Sequence, residues 1–230
     1  MFDKKKILLI LCVLISFFIC VTVVMSATGK KRVIVIDPAH GGKEQGIKLT
    51  NDVAEKDITL AVALSMKKEL SGEKNLEVIL TRDSDKTIDL EDREKSIEKI
   101  KPDFVISLHV NGGFGKNASG FELYYPEYSE NKIKEKKTIK DETRQLKNKC
   151  QNDSLTMAKN IQKNLNILFP RKGRGLRRAD LPVIDGLLIP ALAVEMNFAT
   201  NAEDKKKMLS LKTQTDISKA LVKSVKTFFR

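Results

Sequence analysis

The sequence predicts an α/β fold: a single domain with a mostly parallel or mixed twisted sheet, helices on both of its faces, and a hydrophobic segment ahead of it. Three observations carry this. Short runs rich in β-branched residues alternate with apolar stripes at helical spacing, the pattern of a sheet covered by helices. The strand-like runs are continuously apolar, as expected of strands buried on both sides. Several of them stop abruptly on a polar side chain.

Taken in order, the chain opens with Met-Phe-Asp and Lys4, Lys5 and Lys6. From Ile7 to Val24 there is then no charge, and Ser16 and Thr22 are the polar exceptions. A basic start, an apolar run and the small pair Ser26-Ala27 together read as an export segment over residues 1–27. The run is longer than a usual cleaved signal and close to the roughly 20 residues that span a bilayer. Residues 7–27 are therefore expected to be a transmembrane signal-anchor with the lysines inside, a cleaved signal peptide being the alternative. Neither Cys12 nor Cys20 follows the small residues that lipid attachment would require. Only Cys150 lies beyond this segment, so the exported part, residues 28–230, contains no internal disulfide.

Residues 1–27 hold three lysines and one aspartate, so leaving them out lowers the formal charge from +12 to +10. Such a surface favours acidic partners. With 6% aromatic residues and no recognised nucleic-acid module, an anionic cell-envelope polymer is expected and nucleic acid is not.

Strands are expected at 32–37, 76–81 (LEVILT), 104–109 (FVISLH), 120–125 (GFELYY) and 191–195 (ALAVE). Helical stripes run through Ile58, Val62, Met66 and Leu70, through Leu155, Ala158, Ile161, Leu165 and Leu168, and through Ile217, Leu221, Val225 and Phe228. Residues 127–152 interrupt the alternation. Between Glu130 and Lys149 lie eight Lys/Arg and four acidic residues, which reads as a solvated helix or a partly disordered insertion.

Open α/β sheets collect functional groups just beyond the carboxyl ends of their strands. His40 lies just past the first strand, His109 closes FVISLH, and Glu195 closes ALAVE. A polar group ending an apolar strand costs stability unless it is paired or ligated. Both histidines of the chain take this position. Glu55 opens the first long helix, where its plainest role is to favour the helix dipole. Two neutral imidazoles and one carboxylate are a known catalytic zinc set that leaves a fourth position for water. No H-E-x-x-H helix is present, so such a site has to be assembled from distant segments.

Six stretches appear in order: VIVIDPAHGG, AEKDITLAVAL, VILTRDSD, LEDR, FVISLHVN and PALAVEMNFATNAED. Together they resemble the zinc-dependent N-acetylmuramoyl-L-alanine amidases of the type 3 family, cell-wall hydrolases, over about residues 32–229. The resemblance implies one zinc ion held by His40, Glu55 and His109, with Glu195 as the catalytic carboxylate. It implies peptidoglycan as partner and cleavage of the amide between N-acetylmuramic acid and the L-alanine of the stem peptide. It also places the enzyme outside the cytoplasmic membrane of a bacterium, in the periplasm or cell wall.

Asp37 is expected either to steady a histidine or to cap its turn, and Asn111 either to meet substrate or to hold its loop. Arg82 and Arg93 match family positions and are expected to hold the scaffold through ion pairs. Gly41 and Gly42 are expected to leave room for metal and substrate. Ala39 and Asn197 each replace a glycine of the family, and Thr200 replaces a serine, so the backbone at Ala39 and Asn197 is the point to examine. In some family members the insertion covers the site until an activator protein moves it. Here Glu130, Glu135, Asp141 or Glu142 would be the acid that reaches the metal. Two rival readings remain: a peptidoglycan-binding scaffold on an amidase fold, and another exported zinc amidohydrolase or peptidase. Zinc content separates the first rival, and the identity of the released product the second.

Overall fold

The computed structural model describes residues 30–113, 115–128, 140–170, 172–184 and 186–230. The expected segment 1–27 and the acids Glu130 and Glu135 lie outside the described residues. Among the described residues no helix is long and apolar enough to cross a membrane.

Among the described residues twelve elements follow one another: β1 (Arg32–Pro38), α1 (Glu55–Leu70), β2 (Leu76–Leu80), α2 (Leu90–Ile100), β3 (Phe104–Asn111), β4 (Phe121–Pro126), α3 (Lys140–Leu168), β5 (Gly173–Ala179), a short 3-10 turn (Pro182–Ile184), β6 (Ala191–Phe198), α4 (Ala202–Met208) and α5 (Leu211–Phe228). The strands form one six-stranded sheet in the order β2-β1-β3-β6-β4-β5. β2, β1, β3 and β6 run parallel, whereas β4 is antiparallel to β6 and carries β5 parallel to itself. The sheet is mixed because of that one reversal.

Strand alternation divides the core in two. Ile34 and Ile36, Ile106 and Leu108, and Leu192 and Val194 point to one face, under α1, α3 and α5. Val35, Val105, Ala191 and Ala193 point to the other, where among the described residues they pack with Ile97 of α2 and with the 3-10 turn and its flanks, Leu181 and Leu187. Helices therefore lie on both faces, as expected, but unequally. The thinly covered face carries the polar residues: Asp37 continues Val35, Ser107 and His109 continue Val105, and Glu195 continues Ala193.

Four elements were not anticipated: β5, α2, the short 3-10 turn and α4. β5 reads Gly-Arg-Gly-Leu-Arg-Arg-Ala, and none of its residues is fully buried. It is an edge strand, where charge blocks unwanted pairing, and it therefore lacks the apolar run that marks a central strand. In α2 only Arg93 and Ile97 are buried, too few to make a stripe. The charged segment is helical from Lys140, as the first half of α3, and is mostly exposed until Cys150.

Candidate metal centre and active site

The turn after β1 is built around an unfavourable backbone. His40 has φ 64, a left-handed conformation that costs a residue with a Cβ roughly 1–2 kcal/mol. Two buried arginines hold it. Arg82, 1% exposed, donates to the carbonyls of Pro38 (2.9 Å), Ala39 (3.0 Å) and Lys56 (2.8 Å). Arg93 donates to the carbonyls of Pro38 (2.9 Å) and His40, and pairs with Asp37 at 2.7 Å. The expected ion pair is present for Arg93, while Arg82 acts on carbonyls instead. Ala39 and Asn197 both have negative φ, so losing the family's glycines there costs no backbone strain.

The Glu-Lys-Asp triplet at the start of α1 divides its labour. Asp57 Oδ2 accepts from the Ala54 amide at 2.8 Å and caps the helix. Lys56 Nζ donates to the Gly42 carbonyl (3.0 Å) and to Asp85 (2.6 Å), tying down the histidine turn. Glu55 is 3% exposed and accepts from the amides of Val110 (3.0 Å) and Ile47 (3.1 Å). Its two oxygens then face the two imidazoles: Oε2 lies 3.1 Å from His40 Nε2, and Oε1 lies 3.4 Å from His109 Nδ1.

His40, Glu55 and His109 thus offer three ligand atoms within 4.8 Å of one another. Two imidazole nitrogens and a carboxylate oxygen are a donor set that suits zinc. Among the described residues no other such group occurs, so Asp141 and Glu142 do not join it. Both are exposed on α3, and Asp141 pairs with Arg144 at 3.3 Å, which corrects the expectation that either reaches the metal.

Hydrogen bonding sets the imidazole tautomers. Ser107 Oγ lies 2.9 Å from Asp37 Oδ2 and 3.0 Å from His109 Nε2. A carboxylate paired with a buried guanidinium only accepts, so the single Ser107 proton goes to Asp37. Ser107 must then accept from His109 Nε2–H, which leaves the Nδ1 lone pair facing Glu55. Asp37 therefore steadies His109 through Ser107, the first of its two expected roles. His40 Nδ1 lies 2.8 Å from Glu44 Oε1, so Nδ1–H donates there and Nε2 keeps its lone pair for the metal. Ser107→Ala is expected to weaken zinc affinity about 10- to 100-fold, measured by chelator competition, with little change in melting temperature.

Sequence reasoning missed Glu44, Ser107 and Gly46. Glu44 follows His40 by four residues, and Ser107 precedes His109 by two on the same strand face. Gly46 (φ 65) is packed so closely that a Cβ there would sit 2.6 Å from both Glu55 Oε2 and His40 Cδ2. It is the glycine that makes room at the metal site. A Cβ on Gly41 would instead meet the Lys86 carbonyl at 2.4 Å, so that glycine serves loop packing, contrary to expectation.

Glu195 is the register partner of His109 on one side and of Glu122 on the other. Its Oε2 is buried and has no hydrogen-bond partner. Burial pushes the Glu195 carboxyl up to about 7, helped by the charges of Glu55 and Glu122 and opposed by His109 and His40. Glu55 moves the other way. Burial would raise it, but in the metal-free protein, where a second ring proton lets His109 and His40 donate to it, those hydrogen bonds and that of the Val110 amide prevail and hold it at about 2. Its hydrogen bond to Glu55 raises His40 against burial. Burial lowers His109, but Glu55 and the Glu195 charge outweigh it and the net shift is upward.

Residues 34–227 match the family described as N-acetylmuramoyl-L-alanine amidase. The chain belongs to this amidase family. AmiA of Escherichia coli (strain K12), an N-acetylmuramoyl-L-alanine amidase, is 28% identical over 225 residues, covering 88% of this chain and 78% of AmiA. The amidase CwlM of Bacillus licheniformis is 31% identical over 179 residues, covering 77% of this chain and 60% of CwlM. The catalytic domain of the amidase CwlV from Bacillus (Paenibacillus) polymyxa var. colistinus superposes with a TM-score of 0.70 at 24% identity, covering 86% of this chain and 97% of that domain. CwlD from Clostridioides difficile, solved in complex with the GerS lipoprotein, gives 0.70 at 22% identity, with coverage of 86% and 98%.

The other two expected site residues of this amidase are structural. Asn111 Oδ1 accepts from the Gly113 amide at 2.8 Å, and its carbonyl accepts from Ala199 at 2.9 Å, which gives it the loop-holding role. Asn197 is fully buried. With its nitrogen turned toward the Gly120 (3.0 Å) and Met196 (2.9 Å) carbonyls it ties β6 to the start of β4, and it is too deep to meet substrate.

Proposed function

We propose that this peptidoglycan amidase hydrolyses the bond between N-acetylmuramic acid and L-alanine with one zinc ion held by His40, Glu55 and His109, and with Glu195 as general base and acid. One observation carries the reading: Glu195, its buried oxygen unpartnered, is the cross-strand neighbour of the candidate ligand His109. Zinc, when bound at such a set, lowers the pKa of a water molecule and polarises the scissile carbonyl.

The chain's own residues do the rest. Glu44 and the Ser107–Asp37 pair aim the imidazole lone pairs, and Arg82 and Arg93 hold the strained turn that presents His40. Glu195 accepts the proton of the attacking water and returns it to the nitrogen of the departing L-alanine. Burial, which raises this carboxyl to about 7 in the metal-free protein, makes it a stronger proton acceptor than an exposed glutamate.

Export through residues 1–27, with 7–27 as membrane anchor, and a location in the periplasm or cell wall belong to the same proposal. So does a partner protein acting on residues 127–152, whose helical part is exposed. The deciding experiment incubates residues 28–230 with purified peptidoglycan, with zinc and after its removal by chelator. Mass spectrometry is expected to find free stem peptides beginning with L-alanine only when zinc is present. Release of glycan fragments or cut cross-links would point to another hydrolase, and a protein that takes up no zinc and yields no products when zinc is supplied would point to a scaffold.

A further inference from the structure

The outer edge of the sheet carries a second, cationic feature. Because β4 runs against β6 and β5 runs with β4, the start of β5 lies at the same sheet end as the close of β6. There Asn117, Ser119, Lys172, Gly173, Arg174 and Arg177 line a cleft of about 480 Å³. Its inner wall adjoins the catalytic site. Arg177 Nε lies 3.0 Å from Glu122 Oε1, and Glu122 is the register partner of Glu195. One ion pair therefore separates the proposed catalytic carboxylate from the cleft.

The three cations differ in how they are engaged. Lys172 donates to Ser119 at 3.1 Å and lies 3.6 Å from Glu203. Arg177 is held by Glu122. Arg174 is exposed, its guanidinium carbon 5.2 Å from the centre of the Phe198 ring, and among the described residues it has no acidic partner. A guanidinium lying over an aromatic ring is held near it while its N–H groups stay open to a planar carboxylate.

We propose that this cleft binds a carboxylate of the stem peptide, with Arg174 as the fork that receives it. The assignment rests on the amidase reading and names the substrate feature recognised. Of the two halves joined by the scissile amide, the peptide half ends in a free carboxylate, whereas the muramoyl carboxyl is consumed in the bond itself. A phosphate-bearing wall polymer would meet Glu203 beside Lys172 and Glu127 beside Arg178 (3.4 Å), which break the basic run.

The test compares the wild-type chain with Arg174→Gln and Arg174→Lys on two muramoyl-peptides, one with free carboxylates and one with those groups amidated. Arg174→Gln is expected to lower kcat/KM about tenfold on the acid, mainly through KM, and to change the amide less than about twofold. Arg174→Lys should recover part of the loss. Calorimetry with the free peptide acid and its amide, on the same proteins, should show the same preference without turnover. A chain that cut neither muramoyl-peptide would refute the amidase reading, and calorimetry would still judge the cleft. Equal losses on acid and amide, or wild-type binding that ignores amidation, overturns the proposal. So does an Arg174→Gln defect confined to sacculi carrying phosphate polymers, which would assign the cleft to the polymer.

Discussion

Glu195→Gln is expected to abolish turnover while making the metal-free protein more stable at alkaline pH. The loss should be on the order of 10²–10⁴ in kcat, the usual contribution of a positioned acid–base group. Zinc affinity should be nearly unchanged, because Glu195 is not among the three residues whose ligand atoms converge. The stability gain follows from linkage. The folded carboxyl titrates near 7 against a reference of 4.5. Below pH 4.5 both folded and unfolded states carry the proton, and Glu195 contributes nothing. Between 4.5 and about 7 the unfolded state loses its proton while the folded state keeps it, so stability falls as pH rises. Above 7 the penalty is complete, on the order of 3 kcal/mol, and glutamine removes it. Thermal denaturation of the metal-free proteins at pH 4 and pH 8 checks this. The variant should gain several degrees at pH 8 and little at pH 4, and a gain equal at both pH values would contradict it. That result would mark Glu195 as a residue kept for chemistry at a cost in stability, which a structural carboxylate would not show.

The same balance explains what was legible in the sequence. Apolar strands ended by His40, His109 and Glu195 were readable because a polar group at the end of a buried strand conflicts with its surroundings. Glu55 was not readable that way, since an acid opening a helix has a sufficient reason in the helix dipole, and its role came through the family resemblance. Ser107 looked like one more strand residue. Its function exists only because β1 and β3 pair in the register that sets Asp37 beside Ser107. Gly46 shows the same limit: the atoms it must avoid belong to Glu55 and His40, and no local pattern announces that packing. Periodicity also failed where burial was slight, at the arginine-rich edge strand β5 and at α2, whose buried face is Arg93 and Ile97. These weakly apolar pieces border the functional face. α2 supplies the arginine beneath the histidine turn, and β5 lines the cationic cleft.

Breaking the Arg93–Asp37 pair should give the largest loss of stability. The two side chains are 5% and 4% exposed, and Asp37 also accepts from Thr81 at 2.5 Å and from Ser107 at 2.9 Å. Arg93→Met leaves a buried carboxylate without its counter-charge and frees the His40 carbonyl, at a cost of about 3–5 kcal/mol by chemical denaturation. The double variant Arg93→Met with Asp37→Leu separates folding from function. Removing both charges is expected to restore a large part of the lost stability, because an apolar pair of similar volume replaces a buried ion pair at little cost. Zinc affinity should not return with it. Without Asp37, Ser107 is free to donate its proton to His109 Nε2, so the tautomer that presents Nδ1 is no longer enforced. Recovery of both properties together would mean that the pair serves only the fold. Recovery of stability alone would show that a buried ion pair at the end of β1 is kept for the direction in which an imidazole two strand positions beyond Ser107 points its lone pair.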